Sequence, residues 1–162
     1  MNKKENRYSV CGDIAKVRMS NADVDMLCDA ADWEKAKGHT WSLSATGYAV
    51  SNIGGKPVLF HRFLFPGHVG DIDHINGKKL ENTRENLRPV SHQQNLFNAK
   101  LSNANTSGAK GVCWHKKAKK WAAAIKVNGK SIYLGIFENF DDAKRARKQA
   151  EEKYFGEYAR AV

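Results

Sequence analysis

Cysteine, proline and long apolar runs are scarce in this chain of 162 residues, and each scarcity excludes something. The three cysteines, Cys11, Cys28 and Cys113, are odd in number and far apart, so neither a disulfide framework nor a paired-thiolate zinc site fits them. A reducing cytoplasm is the expected compartment. With only 3 prolines and 41% hydrophobic residues, the composition is that of a globular chain rather than a disordered one. No apolar run approaches the roughly 18 residues needed to span a bilayer, which excludes membrane insertion by a helix. The stretch from Met1 to Arg7 is polar and leads into no apolar signal-peptide core, so secretion is not expected. In that compartment the sequon-like Asn105-Thr106-Ser107 is incidental.

Acidic residues are also missing where they would matter. Between residues 101 and 137 there are seven lysines and no Asp or Glu. The whole chain carries +10, from 27 Lys and Arg against 17 Asp and Glu. Residues 1–100 hold 14 basic and 11 acidic side chains, residues 101–162 hold 13 and 6, so the excess is mainly C-terminal. An excess of one sign on one segment suits a polyanionic partner. The small polar segment Leu101–Gly108 separates the two charge regimes and predicts a domain boundary near residue 105, with one domain over 1–104 and another over 105–162. No internal repeat is evident.

The sequence predicts an α+β protein: an N-terminal α/β scaffold, a ββα unit, and a small three-stranded antiparallel sheet packed on one helix. In the scaffold, Ser20 is placed to cap a helix bearing Val24, Leu27, Cys28 and Ala31 at i, i+3, i+4 and i+7. Trp41–Val50 and Lys56–Phe65 predict a hairpin around Gly54-Gly55. Trp33 and Trp41 suit core packing.

Residues 69–98 carry the chemistry. Ile72 leads a strand ending at Asp73-His74, Asn76-Gly77 turns the chain, Leu87–Val90 returns, and Ser91 can cap a helix containing Asn95. That order places Asp73 and Asn95 where both present oxygen to one hard cation, Mg2+ or Mn2+. His74, on the opposite side of the strand from Asp73, is suited to take a proton from water. Arg84 and Arg88 suit either a scissile phosphate or bracing of the loop. His61, on an apolar strand, and His92, in the first turn of the helix, receive no catalytic role.

Asp73-His74-Ile75-Asn76-Gly77, then Asn82 to Arg88, then Asn95 resemble the motif of the HNH nucleases of the ββα-metal type, particularly phage and intron-encoded homing enzymes. His61-Arg62-Phe63 resembles the strand that precedes that motif. The resemblance implies that His74 is the general base, that Asp73 and Asn95 bind the metal, and that Asn86 holds the loop closed so that His74 is oriented; of the two arginines, Arg88 is the secondary candidate for the catalytic site. Asparagine instead of histidine at Asn95 favours an oxygen-loving ion over zinc. The implied reaction leaves 5′-phosphate and 3′-hydroxyl ends, and the implied host compartment is a bacterial cytoplasm if a phage encodes the chain.

In the last third, Trp121–Val127 and Lys130–Phe137 flank Asn128-Gly129, a type I′ hairpin signal. A two-residue turn pairs Val127 with Lys130 and, continued without interruption, Ala123 with Leu134 and Ala122 with Gly135. One face then carries Trp121, Ala123, Ile125, Ile132, Leu134 and Ile136, matching a helical stripe of Phe140, Ala143, Ala146, Ala150 and Tyr154. The other carries small residues with Lys126 and Tyr133, and a preceding strand adds Cys113 and His115. Trp114 and Trp121 are assigned to packing. Lys110-Gly111-Val112, Trp114, Trp121–Lys126, Tyr133–Phe137 and the alanine-rich helix resemble an APETALA2-type DNA-binding domain over about residues 106–158. The resemblance implies a sheet entering the major groove of double-stranded DNA, with Lys110, His115, Lys116, Lys126 and Tyr133 as candidate contacts. The expectation is a site-targeted DNA endonuclease, monomer or dimer, with no obligatory protein partner evident. The rival is a DNA-binding protein whose ββα unit is only a scaffold.

Overall fold

A computed structural model describes residues 5–98, 101 and 104–158, so Met1–Lys4 and the Ser102-Asn103 part of the expected boundary lie outside the described residues. In chain order the elements are β1 (Tyr8–Cys11), β2 (Ile14–Arg18), β3 (Asp25–Asp29), α1 (Ala30–Ala36), β4 (Ser42–Leu43), β5 (Ala49–Ile53), β6 (Lys56–Leu59) and α2 (Phe60–Leu64). They continue with β7 (Asp71–His74), β8 (Glu81–Asn82), β9 (Leu87–Val90), α3 (His92–Asn98), β10 (Val112–His115), β11 (Lys120–Val127), β12 (Lys130–Phe137) and α4 (Phe140–Phe155). The protein is mixed α+β, with four small sheets and four helices among the described residues. Among them, no helix is long and apolar enough to cross a membrane. Two compact units divide the chain, Met1–His92 and Gln93–Val162. The division lies upstream of the composition change near residue 105. The physical reason is α3: the Phe97 ring stacks on Phe155 with centroids 3.8 Å apart, and Lys110 Nζ donates to the Phe97 carbonyl at 3.2 Å, which ties most of the helix to the second unit.

The first unit opens with a sheet in the order β1-β2-β3-β8, whose last pair is parallel. The helix expected from Ser20 is instead a turn and a strand. Met26 and Cys28 alternate into the core, and β3 pairs antiparallel with β2 from Arg18↔Asp25 to Ile14↔Asp29. Lys16 and Arg18 both bridge Asp25 across that ladder. Val24, Leu27, Cys28 and Ala31 have helical spacing, but Met26 and Cys28 also alternate with the period of a strand, and long-range pairing decides between the two. Helix α1 begins only at Ala30. A further hairpin, β1–β2, turns at Gly12-Asp13 with Gly12 at positive φ.

Ile53↔Lys56 closes the β5–β6 hairpin around Gly54 and Gly55, both at positive φ, as the glycine pair predicts. Its second arm is shorter than expected and ends at Leu59. Phe60, His61 and Leu64 then bury one side of α2, so His61 stands on a helix and not on a strand. Their i, i+1, i+4 spacing is helical. One core joins these layers: Val17, Met26, Cys28, Trp33, Trp41, Phe60, Ile72 and Leu87. Trp41 meets Phe60 edge to face at 4.7 Å, so both scaffold tryptophans pack as expected.

The second unit carries the sheet β10-β11-β12, with α4 against one face through Ala143, Ala150 and Phe140. Asn128 and Gly129 take positive φ, and the expected register holds from Val127↔Lys130 to Ala124↔Tyr133. There it slips. Ala123 pairs with Gly135 and Ala122 with Ile136, which leaves Leu134 as an extra residue. Beyond the bulge the faces exchange: Ile136 is exposed and Phe137 enters the core, contrary to the uninterrupted register. A Cβ on Gly135 would lie 3.2 Å from the Phe137 ring, so glycine suits the position where that ring folds inward. On α4 the buried stripe is Ala143, Arg147, Ala150 and Phe155, while Tyr154 is exposed. The ring of Phe97 draws Phe155 inward.

Candidate functional site

β7 and β9 form a two-stranded antiparallel ladder that sets Asp73 opposite Arg88 and His74 opposite Leu87. After His74 the chain turns at once, with Gly77 N–H donating to the His74 carbonyl at 2.8 Å. Asn86 staples the loop between the strands. Its Oδ1 accepts from Asn76 N–H at 3.0 Å and its Nδ2 donates to the Glu81 carbonyl at 2.7 Å. Lys78 and Asn76 grip the Glu81 carboxylate, and the Lys78 hydrogen bond chiefly holds it below the usual carboxylate range.

Asp73 and His74 are both buried, at 6% and 5% exposure. Arg88 Nε and Nη2 donate to Asp73 Oδ2 at 3.0 and 2.9 Å, so this arginine balances the carboxylate across the ladder. On the other side of the strand, His74 Nε2 lies 3.1 Å from Asn82 Oδ1. His61 meets the His74 ring edge-on at 5.2 Å, and Tyr48 lies 5.9 Å from it. Burial lowers the pKa of His74, opposed by the Asn82 hydrogen bond and the nearby charge of Asp73. His61 is pushed down to about 4 by burial, with the neighbouring His74 and Arg62 adding to it. Tyr48 is raised, first by burial and then by Asp73 and Asp71. A buried imidazole that stays neutral near pH 7 is a competent proton acceptor.

The remaining arginines brace the unit. Arg84 forks onto Asp32 at 2.6 and 3.0 Å and donates to the Leu64 carbonyl, and that fork chiefly lowers the pKa of Asp32. Asp71 accepts from Arg62 and lies 3.0 Å from His92. Sequence reasoning missed Asn82, Tyr48 and Asp32 as parts of this cluster. Only Asn82 had a signal, since it stood inside the matched motif.

Asn95 lies on α3, whose course from Gln93 onward belongs to the second unit. The donors proposed from sequence, a carboxylate and an amide carbonyl, are both oxygen, which suits a hard ion completing its shell with water and phosphate. Cys28, raised to about 12 mainly by burial, keeps its proton at neutral pH and offers no thiolate. Among the described residues no three His, Cys, Asp or Glu gather in metal-holding positions.

In the second unit the sheet face away from α4 presents Cys113, His115, Lys126, Ser131, Tyr133 and Ile136. Tyr133 is 64% exposed. Lys116 and Lys126 are exposed; His115 Nδ1 accepts from Ala118 N–H. Lys110 is half-buried on the Phe97 carbonyl. Trp121 packs between Trp114 and Phe140, whereas Trp114 itself is 47% exposed.

No family model matches the chain, and no solved structure matches it. Among curated proteins it is 39% identical over 59 residues to Protein 3.8 of Escherichia phage T7, covering 36% of this chain and 49% of that protein. It is 31% identical over 134 residues to an uncharacterized HNH endonuclease of Acanthamoeba polyphaga mimivirus, covering 78% of this chain and 68% of the viral protein. By that extended likeness, the chain belongs to the HNH endonuclease family.

Proposed function

We propose that this chain is a homing-type, site-targeted endonuclease of double-stranded DNA, with residues between 69 and 98 cutting and the sheet of the second unit anchoring the enzyme. The observation that carries the reading is the buried His74 at the end of β7, beside Asp73, with its ring gripped by Asn82, His61 and Tyr48. His74 takes the proton of the attacking water as that water's oxygen bonds to phosphorus and the 3′ oxygen leaves, giving 5′-phosphate and 3′-hydroxyl ends. Asn86 closes the loop that presents His74. Asp73 and Asn95 are the residues that would hold Mg2+ or Mn2+, and such an ion would supply charge to offset the phosphate and the leaving oxygen. Arg88, which donates to Asp73, would serve the phosphate or the product.

The APETALA2-type reading of the second unit is supported by an exposed sheet face of small side chains rimmed by lysines, with a helix packed behind. Small residues let a sheet approach a groove closely, and lysines meet the phosphates on either side. His115, Lys116, Lys126 and Tyr133 are the contacts proposed there; Lys110 serves the fold as well as the rim. One active site per chain nicks one strand, so a double-strand break needs a second chain or a second event.

The test is cleavage of supercoiled plasmid and of a phage DNA library with Mg2+, comparing wild type with His74→Ala at equal DNA occupancy. Nicked or linear product from wild type alone supports the reading, and 3′-phosphate ends would overturn its chemistry. Binding without cleavage by either protein on every substrate, with no Asp73-dependent uptake of Mg2+ or Mn2+, would favour the scaffold-only DNA binder.

A further inference from the structure

We infer that Asn82 is a positioning residue for His74: it keeps the imidazole proton on Nε2 and thereby makes Nδ1 the nitrogen that takes the proton from water. This rests on the nuclease reading above and adds to it a residue and an atom. Asn82 lies in β8, whose parallel pairing with β3 sets Cys28 opposite it, and it is 1% exposed. The two ends of its amide are not interchangeable. Nδ2 donates to the Lys79 carbonyl at 3.4 Å, and a carbonyl can only accept. Oδ1 therefore faces the ring, 3.1 Å from His74 Nε2.

An amide oxygen has no proton to give, so the hydrogen between them belongs to Nε2. A neutral imidazole carries one N–H, which leaves the basic lone pair on Nδ1. Reversing the amide would set Oδ1 against the Lys79 carbonyl, two acceptors facing each other in a buried site. The ring is flanked as well: His61 meets it at 83° and Tyr48 at 41°. In the reaction, one O–H bond of water breaks and its proton bonds to Nδ1. The freed electron pair on oxygen bonds to phosphorus, the bond from phosphorus to the 3′ oxygen breaks, and that oxygen takes a proton from solvent.

The test uses the full chain labelled with 15N. Long-range proton–nitrogen correlation at pH 8 without metal reads the His74 tautomer, assigned by the signals lost in His74→Ala. Wild type is expected to show Nε2 protonated and Nδ1 bare. Asn82→Leu, of similar volume without an acceptor, is expected to show a mixture of tautomers. Asn82→Asp, which keeps an oxygen facing the ring, is expected to retain protonated Nε2. In plasmid nicking, Asn82→Leu is expected to lose about 10- to 100-fold in kcat with KM within about twofold, and Asn82→Asp to recover most of it. A wild-type ring protonated on Nδ1 overturns the inference, as does an Asn82→Leu protein with wild-type tautomer and kcat. If circular dichroism shows Asn82→Leu unfolded, the wild-type and Asn82→Asp spectra still decide. Failure of the nuclease reading looks different: protonated Nε2 in a wild-type protein that cuts no DNA.

Discussion

The two units handle polar side chains in opposite ways. In the first, Asp73, His74, Asn82 and Asn86 are withdrawn from solvent, and each is held by a specific neighbour. In the second, Lys126, His115 and Tyr133 stand outward on an open sheet. Burial gives orientation and low dielectric, which proton transfer needs. Exposure keeps charge hydrated and available to a polyanion until docking releases counterions. A substitution should therefore cost rate or stability in the first unit and salt-dependent affinity on the face of the second.

The sharpest break of that contrast is His74→Ala, expected to lower nicking of supercoiled plasmid by about 10²- to 10⁴-fold at unchanged occupancy. Arg88→Ala removes two hydrogen bonds and a balancing charge from the buried Asp73 carboxylate and should destabilise the first unit by about 3 kcal/mol in chemical denaturation. A loss under 1 kcal/mol would show that water already serves that carboxylate. The second unit has its own intolerant point. Gly111, at φ +66, has Ala124 O and Arg147 Nη1 where a Cβ would go, so Gly111→Ala should cost about 2 kcal/mol in thermal unfolding.

Acid should separate the units next. Folded His61 takes a proton only near pH 4, whereas the unfolded chain does so near the ordinary 6.5. Between those values the unfolded state binds more protons, so the contribution of His61 is whole above about 6.5 and falls away as pH drops toward 4. Denaturation at several pH values should show a slope in this window that His61→Gln makes shallower; equal slopes would contradict it. The smallest expected effect is Lys126→Ala: a few-fold weaker DNA binding, a salt slope reduced by about 1, and unaltered stability.

What the sequence disclosed follows the range of the forces involved. Asn128-Gly129 and Gly54-Gly55 announce their hairpins because turn chemistry is local. The strand ending at Asp73-His74, its return over Leu87–Val90 and the helix holding Asn95 were placed from short-range patterns. β3 was misread because its apolar residues satisfy two periods, and only pairing with β2 and β8 distinguishes them. α2 was hidden by a run rich in aromatics that suits either state. In the site, the residue types were readable while their partners were not. Nothing local says that Arg88 turns to Asp73, or that Asn82 reaches His74 across eight positions of sequence.

Leu134, the extra residue of β12, acts as a change of parity. Before it, even-numbered positions face the helix; after it, odd-numbered ones do, as Ile132 and Phe137 illustrate. The strand is thus written in two reading frames, and the same hydrophobic-to-polar exchange has opposite meaning on either side of one residue. Deleting Leu134 alone would close the ladder into one frame and leave Phe137 against the helix and Ile136 in water. Removing Tyr133 with it would turn Phe137 outward and Ile136 inward, so in this strand the parity of an edit, counted from the extra residue, decides its damage.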